Sequence, residues 1–286
     1  MENCLVTKLK GVINNSNLKK LGVLRFEVDV TSIKRTNSIH CNINNYCKFT
    51  IVSGPKDGQI VKAGSSEALD IPKGTEFFLD NSLDTYYFSK IGKYVIEITN
   101  KYNITTFKIT HDVSILLDDM KYFNTLQGIE LTGKNVIGNF NDLPISNMTY
   151  MKFDNKIDAI NFVSAETIVG DISKIANTSM ATIILENCDG ITGNLSSLSS
   201  HSTLNILGIN RSHKITGKIS DITSIPHLSN FQCSDNKLIT GSLADFLDNG
   251  QLRNPELKIL VVRNTNIIKN QEDITTLSNL GVQVTV

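Results

Sequence analysis

The chain of 286 residues reads as mainly β with some helix, an antiparallel N-terminal part followed by a stack of short coils. Two observations predict this. Residues 1–112 alternate apolar and polar positions between turn-forming clusters, and from about residue 170 a phrase of the form I-T-G returns roughly every 24 residues. Length and composition agree: 40% hydrophobic residues, 20% charged residues and zero net charge describe an ordinary soluble protein with room for two domains.

The first strand is the clearest. In "GVLRFEVDVTSI" the residues Leu24, Phe26, Val28 and Val30 alternate with Arg25, Glu27 and Asp29, the pattern of a half-buried strand. "CKFTIVS", "TEFFLDN" and "GKYVIEITNKYNITTFKIT" continue it, separated by the turn chemistry of "SGPKDG", "KAGSS" and "IPKG". The last of these predicts a hairpin turning at Asn100 to Asn103, with Tyr94, Ile96 and Ile98 on one face. Several strands at short intervals predict an antiparallel β-sandwich-like domain over 1–112. Its first 35 residues carry seven basic and three acidic side chains, and Lys8, Lys10, Lys19, Lys20 and Arg25 form a candidate anchoring arm for an acidic surface.

Residues 113–286 obey another rule. "LLDDMKYFNTLQGIELTG" begins it, with a helical turn expected at Leu117 to Phe123. Gly170, Gly193, Gly217 and Gly241 stand 23, 24 and 24 residues apart, and Gly138 precedes Gly170 by 32. Counting back from successive glycines gives Met180, Ile183, Leu185 and Ile191; then Leu204, Leu207, Ile209 and Ile215; then Leu228, Phe231, Cys233 and Ile239. A fourth set, Leu257, Leu260, Val262 and Ile268, follows a five-residue insertion at "DNGQLRNPE", with Asn270 in the place of glycine.

An L-x-x-L-x-L core at this period predicts a leucine-rich-repeat solenoid of about 24-residue repeats. Each L-x-L is a short strand whose alternate side chains fill the core, and no coil can bury that face alone. Cys188, Ser212 and Asn236 fall at the bend, and the threonine of the phrase is assigned to a bend as well. Before Gly170 the register is open: the strand lies at Met151 and Phe153, or at Ile160 and Phe162.

The outward residues of those strands form the candidate contact surface: Ile184, Glu186, Ile206, Asn210, Gln232, Ile259, Val261 and Arg263. Aliphatic side chains stand there where solvent is expected, the mark of a contact site. The final "GVQVTV" has no polar cap after it, so Val282 and Val284 are a candidate subunit edge, implying a homo-oligomer.

Chemistry is harder to find. The five histidines have no metal spacing, the five cysteines include no C-x-x-C, and there is no phosphate loop or nucleophile elbow. The expectation is a non-enzymatic protein with no catalytic residue, metal or cofactor. Neutral net charge argues against nucleic acid as partner. No apolar run approaches a membrane span, and Lys8 and Lys10 interrupt any signal-peptide core, so no membrane insertion is expected.

The opening "LVTKLKGVINNSNLKKLGVLRF" and the phrase Ile98-Thr99-Asn100-Lys101-Tyr102-Asn103-Ile104-Thr105 resemble proteins of crAss-like and related Bacteroidales tailed phages. In that group a strand-rich domain with these two motifs is often followed by leucine-rich repeats bearing G-D-I, as "VGDISKI" does here. The resemblance implies a virion protein, a capsid (head) fibre or decoration protein made in the bacterial host cytoplasm. It implies other virion proteins, in capsid or tail, and possible contact with the host cell surface as partners. It supplies no catalytic residue. The alternative is a bacterial cell-surface adhesion or interaction module.

Overall fold

The computed structural model describes residues 23–31, 39–43, 47–56, 60–62, 76–79, 84–88, 90–99, 104–109, 112–120, 123–133, 135–155 and 167–286. They fall into two compact units, Met1–Asn147 and Met148–Val286, and the fold is mainly β.

In the first unit, Leu24–Val30 pairs antiparallel with Gly92–Thr99 on one edge and Asp112–Leu116 on the other. Gly92–Thr99 also pairs with Cys47–Ser53, which pairs with Glu76–Leu79. A second sheet places Ile39–Ile43 between Ile104–Ile109 and Asp84–Phe88, with Ile60–Lys62 beyond. Alternation predicts the core: Leu24, Phe26, Val28, Val30, Tyr94, Ile96 and Ile98 are all fully buried. Phe26 meets Phe107 of the other sheet edge to face, centroids 5.5 Å apart.

The expected hairpin is not formed. Gly92–Thr99 and Ile104–Ile109 belong to opposite sheets, because both edges of the first are already occupied by Leu24–Val30 and Cys47–Ser53. Alternation marks a buried face but not the sheet that owns it. Residues 100–103 lie outside the described set. Asp112–Leu116 is antiparallel to Leu24–Val30 and parallel to Asn135–Asn139, so pairing changes direction where the sequence changes character. The compact units divide later, at 147/148. The helical turn is a 3-10 turn at Leu117–Asp119.

The second unit is built from parallel ladders. One joins Tyr150–Asp154, Thr182–Glu186, Ile206–Gly208, Asn230–Gln232, Ile259–Val261 and Gln283–Thr285 in that order. The other joins Ile168–Asp171, Ile191–Asn194, Ile215–Lys218 and Ile239–Thr240. After each strand of the second ladder comes a 3-10 turn: Ile172–Ile175, Leu195–Leu198, Ile219–Asp221 and Leu243–Phe246. Leu207 stands opposite Phe231, one 24-residue period away. Every core position of the first three sets is buried.

The open register resolves to Met151 and Phe153. Met151 pairs with Ile183, 32 residues on, so that coil is longer than the others; Ile160 and Phe162 lie outside the described residues. The last coil corrects the alignment by one residue. Ile267 is buried while Ile268 is 58% exposed and bridges Ser242. The bend from Val262 is one residue shorter than that from Cys233, so Lys269 takes the glycine position. Asn270 starts the helix Gln271–Asn279.

That helix also corrects the reading of an uncapped end. It packs against Gln283–Thr285 and the Leu243–Phe246 turn, buries Leu277, and leaves Gln271, Glu272, Thr275 and Ser278 in solvent. Val282 is 3% exposed and its N–H donates to Leu277 O at 3.0 Å; Val284 is half-buried opposite Leu260. Val282 is thus core, while Gln283–Thr285, with Val284, ends the ladder and pairs on one side only among the described residues.

Buried polar side chains close the bends. Ser212 Oγ donates to Leu185 O at 2.7 Å and accepts from Cys188 N; Asn236 Nδ2 donates to Ser212 O at 2.9 Å. They satisfy backbone groups that the turning chain leaves unpaired. The phrase's threonine is in the second ladder, not at a bend: Thr216 Oγ1 donates to Gly193 O of the preceding coil. Gly217 has φ +130°, and a Cβ there would lie 2.9 Å from Leu195 N. The glycine thus serves close approach of two coils as well as the turn.

Gly217→Ala should therefore destabilise by about 1–3 kcal/mol. Gly208→Ala, with no such φ and only ordinary contact with Ile184, should stay within about 0.5 kcal/mol in urea denaturation. A second expectation concerns His201, which is 1% exposed, with Nδ1 accepting from Thr203 N. Burial lowers its pKa below the ordinary 6.5, so the unfolded chain binds the proton more readily. Stability should be complete above pH 6.5 and fall as the pH drops from there towards the lowered value. His201→Gln should flatten that part of the urea midpoint profile.

Candidate functional site

Four strands of the first ladder, from Thr182–Glu186 to Ile259–Val261, end in the same way. Glu186, Asn210, Ser234 and Arg263 occupy equivalent places, and the next residues, Asn187, Arg211, Asp235 and Asn264, have φ of +57°, +53°, +61° and +50°. Asn and Asp tolerate this left-handed conformation better than most residues. The stack holds it in place: Asn187 N donates to Asn210 O, Arg211 N to Ser234 O, and Asp235 N to Arg263 O, at 2.9–3.0 Å.

These eight residues line a groove of about 490 Å³. At its centre Asp235 accepts from Asn264 Nδ2 at 2.8 Å and from Arg211 Nε at 3.1 Å. The Asn264 hydrogen bond first, then Arg211, hold its carboxyl below the usual range. Asn210 donates to Glu186 Oε1 at 3.3 Å and accepts from Ser234 N at 2.8 Å. Asn187 donates to Asp154 at 2.8 Å, and its own Oδ1 is buried without a donor.

Arg211 and Asp235 neutralise each other. Glu186 and Arg263 stand three coils apart, each without an ion-pair partner among the described residues. Asp154 flanks Glu186, and Lys237, which donates to Asn264, lies towards Arg263. The row therefore runs from acidic to basic along the stack, by roughly 14 Å at the usual strand spacing.

Beside the row lies the outward face of the ladder, with Ile184, Gly208, Gln232 and Val261 in register and Thr182, Ile206, Asn230 and Ile259 in the next line. Of the contact residues expected from sequence, Glu186, Asn210 and Arg263 come together in the groove. Ile184, Ile206, Gln232, Ile259 and Val261 lie half-buried on the face that leads to it. Sequence reasoning missed Asn187, Arg211, Asp235 and Asn264. Their signal was the polar residue six places before Gly193, Gly217 and Gly241, and five before Lys269 in the shortened last coil.

The anchoring arm fares differently. Lys8, Lys10, Lys19 and Lys20 lie outside the described residues. Arg25 is not free for docking: Nη2 and Nε, the latter at 3.1 Å, both donate to Glu97 Oε2 across the Leu24–Val30/Gly92–Thr99 pair. A charge facing a cross-strand partner of opposite sign is satisfied within its own sheet.

What the groove offers is hydrogen bonding and charge. Among the described residues no group of three His, Cys, Asp or Glu could hold a metal, and no helix is long and apolar enough to cross a membrane. No protein-family model matches the chain, and none of the characterised proteins compared with it is a match.

The two described thiols are core atoms. Burial pushes Cys233 up to about 12 and raises Cys188 as well, so neither forms a thiolate near neutrality. Iodoacetamide with peptide mapping should label Cys188 and Cys233 only after denaturant is added. Labelling of either in the folded protein at a rate comparable to a free thiol would contradict this burial.

Proposed function

We propose that the chain is a non-enzymatic structural protein of a phage particle, a head fibre or decoration protein that presents a repeat-built contact surface. In this reading the antiparallel sheets of the first unit are a β-sandwich-like anchor. The parallel coils of the second are a leucine-rich-repeat solenoid. Both virion partners and self-association belong to the proposal, with the host cell surface as a further contact.

One observation carries the binding part. Core positions repeat from coil to coil, while the outward positions at the strand ends change from Glu186 to Asn210, Ser234 and Arg263. A constant scaffold with a variable row is how a stack of coils makes a recognition surface. The virion part rests on the resemblance of the opening segment and of Ile98 to Thr105 to the phage group. The row's acidic and basic ends call for a partner of opposite polarity, so charge fixes its orientation.

Mass spectrometry of purified particles should find the chain, and its absence there sinks the virion assignment. Gly208→Tyr obstructs the ladder face, and Arg263→Glu reverses the basic end. Each should lower incorporation or host adsorption by about tenfold, as loss of a central contact does. The urea midpoint should be unchanged in Arg263→Glu, whose side chain is exposed. Full function in both variants would remove the groove and face from the proposal.

A further inference from the structure

The five-residue insertion in the last repeat forms a separate small feature. Leu247–Asp248 and Gln251–Leu252 pair antiparallel, Leu247 opposite Leu252 and Asp248 opposite Gln251, around a turn made of Asn249 and Gly250. Both turn residues are exposed, with φ +48° and +76°, and nothing lies within 4 Å of where a Gly250 side chain would begin. This is the one Asn-Gly dipeptide in the sequence.

Asn249 differs from the other left-handed residues in what its side chain does. Asn187 donates to Asp154, Arg211 to Asp235, and Asn264 both donates to Asp235 and accepts from Lys237. The Asn249 carboxamide and the Gly250 N–H make no hydrogen bond in the structure. Glycine adds no side chain to shield its own nitrogen. The turn must open to bring that nitrogen onto the carboxamide carbon, and a ladder of two residue pairs opens at little cost.

We propose that Asn249 is a self-modification site, where the unshielded Gly250 nitrogen closes on the free Asn249 carboxamide and the residue becomes aspartate and isoaspartate. Base removes the Gly250 amide proton, and the nitrogen forms a bond to Asn249 Cγ. The Cγ–Nδ2 bond breaks and Nδ2 leaves as ammonia after taking up a proton from water. Water then opens the five-membered imide. Attack at Cγ returns an ordinary aspartate; attack at the main-chain carbonyl leaves the chain running through the side-chain carbon as isoaspartate. Only water is consumed and no redox step occurs.

The product changes the hairpin. Either form adds a carboxylate next to Asp248, whose nearest cation is Arg253 at 4.0 Å. Isoaspartate also lengthens the main chain by one carbon within a two-residue turn, which destroys the register of Leu247 and Leu252. Arg253, which is exposed and holds Phe246 O through its N–H at 2.9 Å, then becomes accessible to a protease.

The test is incubation of the full folded chain in mildly alkaline buffer, followed by peptide mapping with fragmentation that separates the two products. Asn249 should gain about one dalton at least about tenfold faster than Asn187 or Asn264, with isoaspartate among the products. Trypsin cleavage after Arg253 should rise in step. Asn249→Gln should abolish both time-dependent changes, with at most a small drop in the starting urea midpoint because glutamine fits φ +48° less well than asparagine. Conversion of Asn187 or Asn264 as fast as Asn249, or an unchanged Asn249 under conditions that convert a short peptide of the same sequence, would overturn the proposal. An undiminished rise in tryptic cleavage in Asn249→Gln would overturn the link to the hairpin.

Discussion

Everything in the second unit depends on how closely one coil's backbone can approach the next. Parallel pairing puts equivalent residues of successive coils side by side, so each feature of one coil must fit its own copy. At the second ladder the tolerance is smallest. A Cβ on Gly193 would meet Ile172, one on Gly217 would meet the Leu195 backbone, and one on Gly241 would meet Ile219. Glycine is thus demanded by the neighbouring coil, and the threonine beside it donates back to that neighbour's carbonyl. A coil in isolation would need the glycine only for its positive φ, and the threonine not at all. This is the sense in which the fold is collective: the stack imposes the phrase, and the phrase makes the stack possible.

The same collectivity explains which parts of the fold are readable in sequence. Met180, Ile183, Leu185 and their counterparts were recovered because one burial requirement is imposed again at each period. The register failed where repetition stops. Ile267 and Ile268 are both isoleucines, so a shortened bend could not be seen, and only pairing with Ser242 separates the core residue from the exposed one. In the first unit there is no repetition to help. Tyr94, Ile96 and Ile98 were legible as a buried face, but the choice between a hairpin and a crossing to the other sheet is made by edges already filled by strands far away in sequence. Val282 was misread for a related reason. An apolar residue near Gln271–Asn279 is buried by a helix whose own apolar stripe is too thin to stand out.

The groove was half legible. Its outer members, Glu186, Asn210 and Arg263, follow from strand alternation once the register is known. The column beside them does not, because its geometry is a left-handed backbone and its side chains are varied. Arg211 has little intrinsic preference for φ +53°; the hydrogen bond from its N–H to Ser234 O holds it there. Interactions between coils hold those backbones, and the side chains are left to differ. Variation at the strand ends therefore costs the scaffold little, which is the condition a recognition surface needs.

Asn249 shows the contrary case. It shares the left-handed conformation of Asn187 and Asn264, yet no neighbouring coil reaches it, because the insertion carries it out of the stack. For the column residues the stack supplies a partner for the side chain and a neighbour that fixes the backbone, and for Asn187, Arg211 and Asp235 a partner for the amide as well. Remove the neighbour and the same residue type keeps its turn geometry but loses these constraints. Chemical stability in this fold therefore follows from position in the stack together with the residue that comes next, a glycine only after Asn249. The coils protect their asparagines by the same contacts that build the groove.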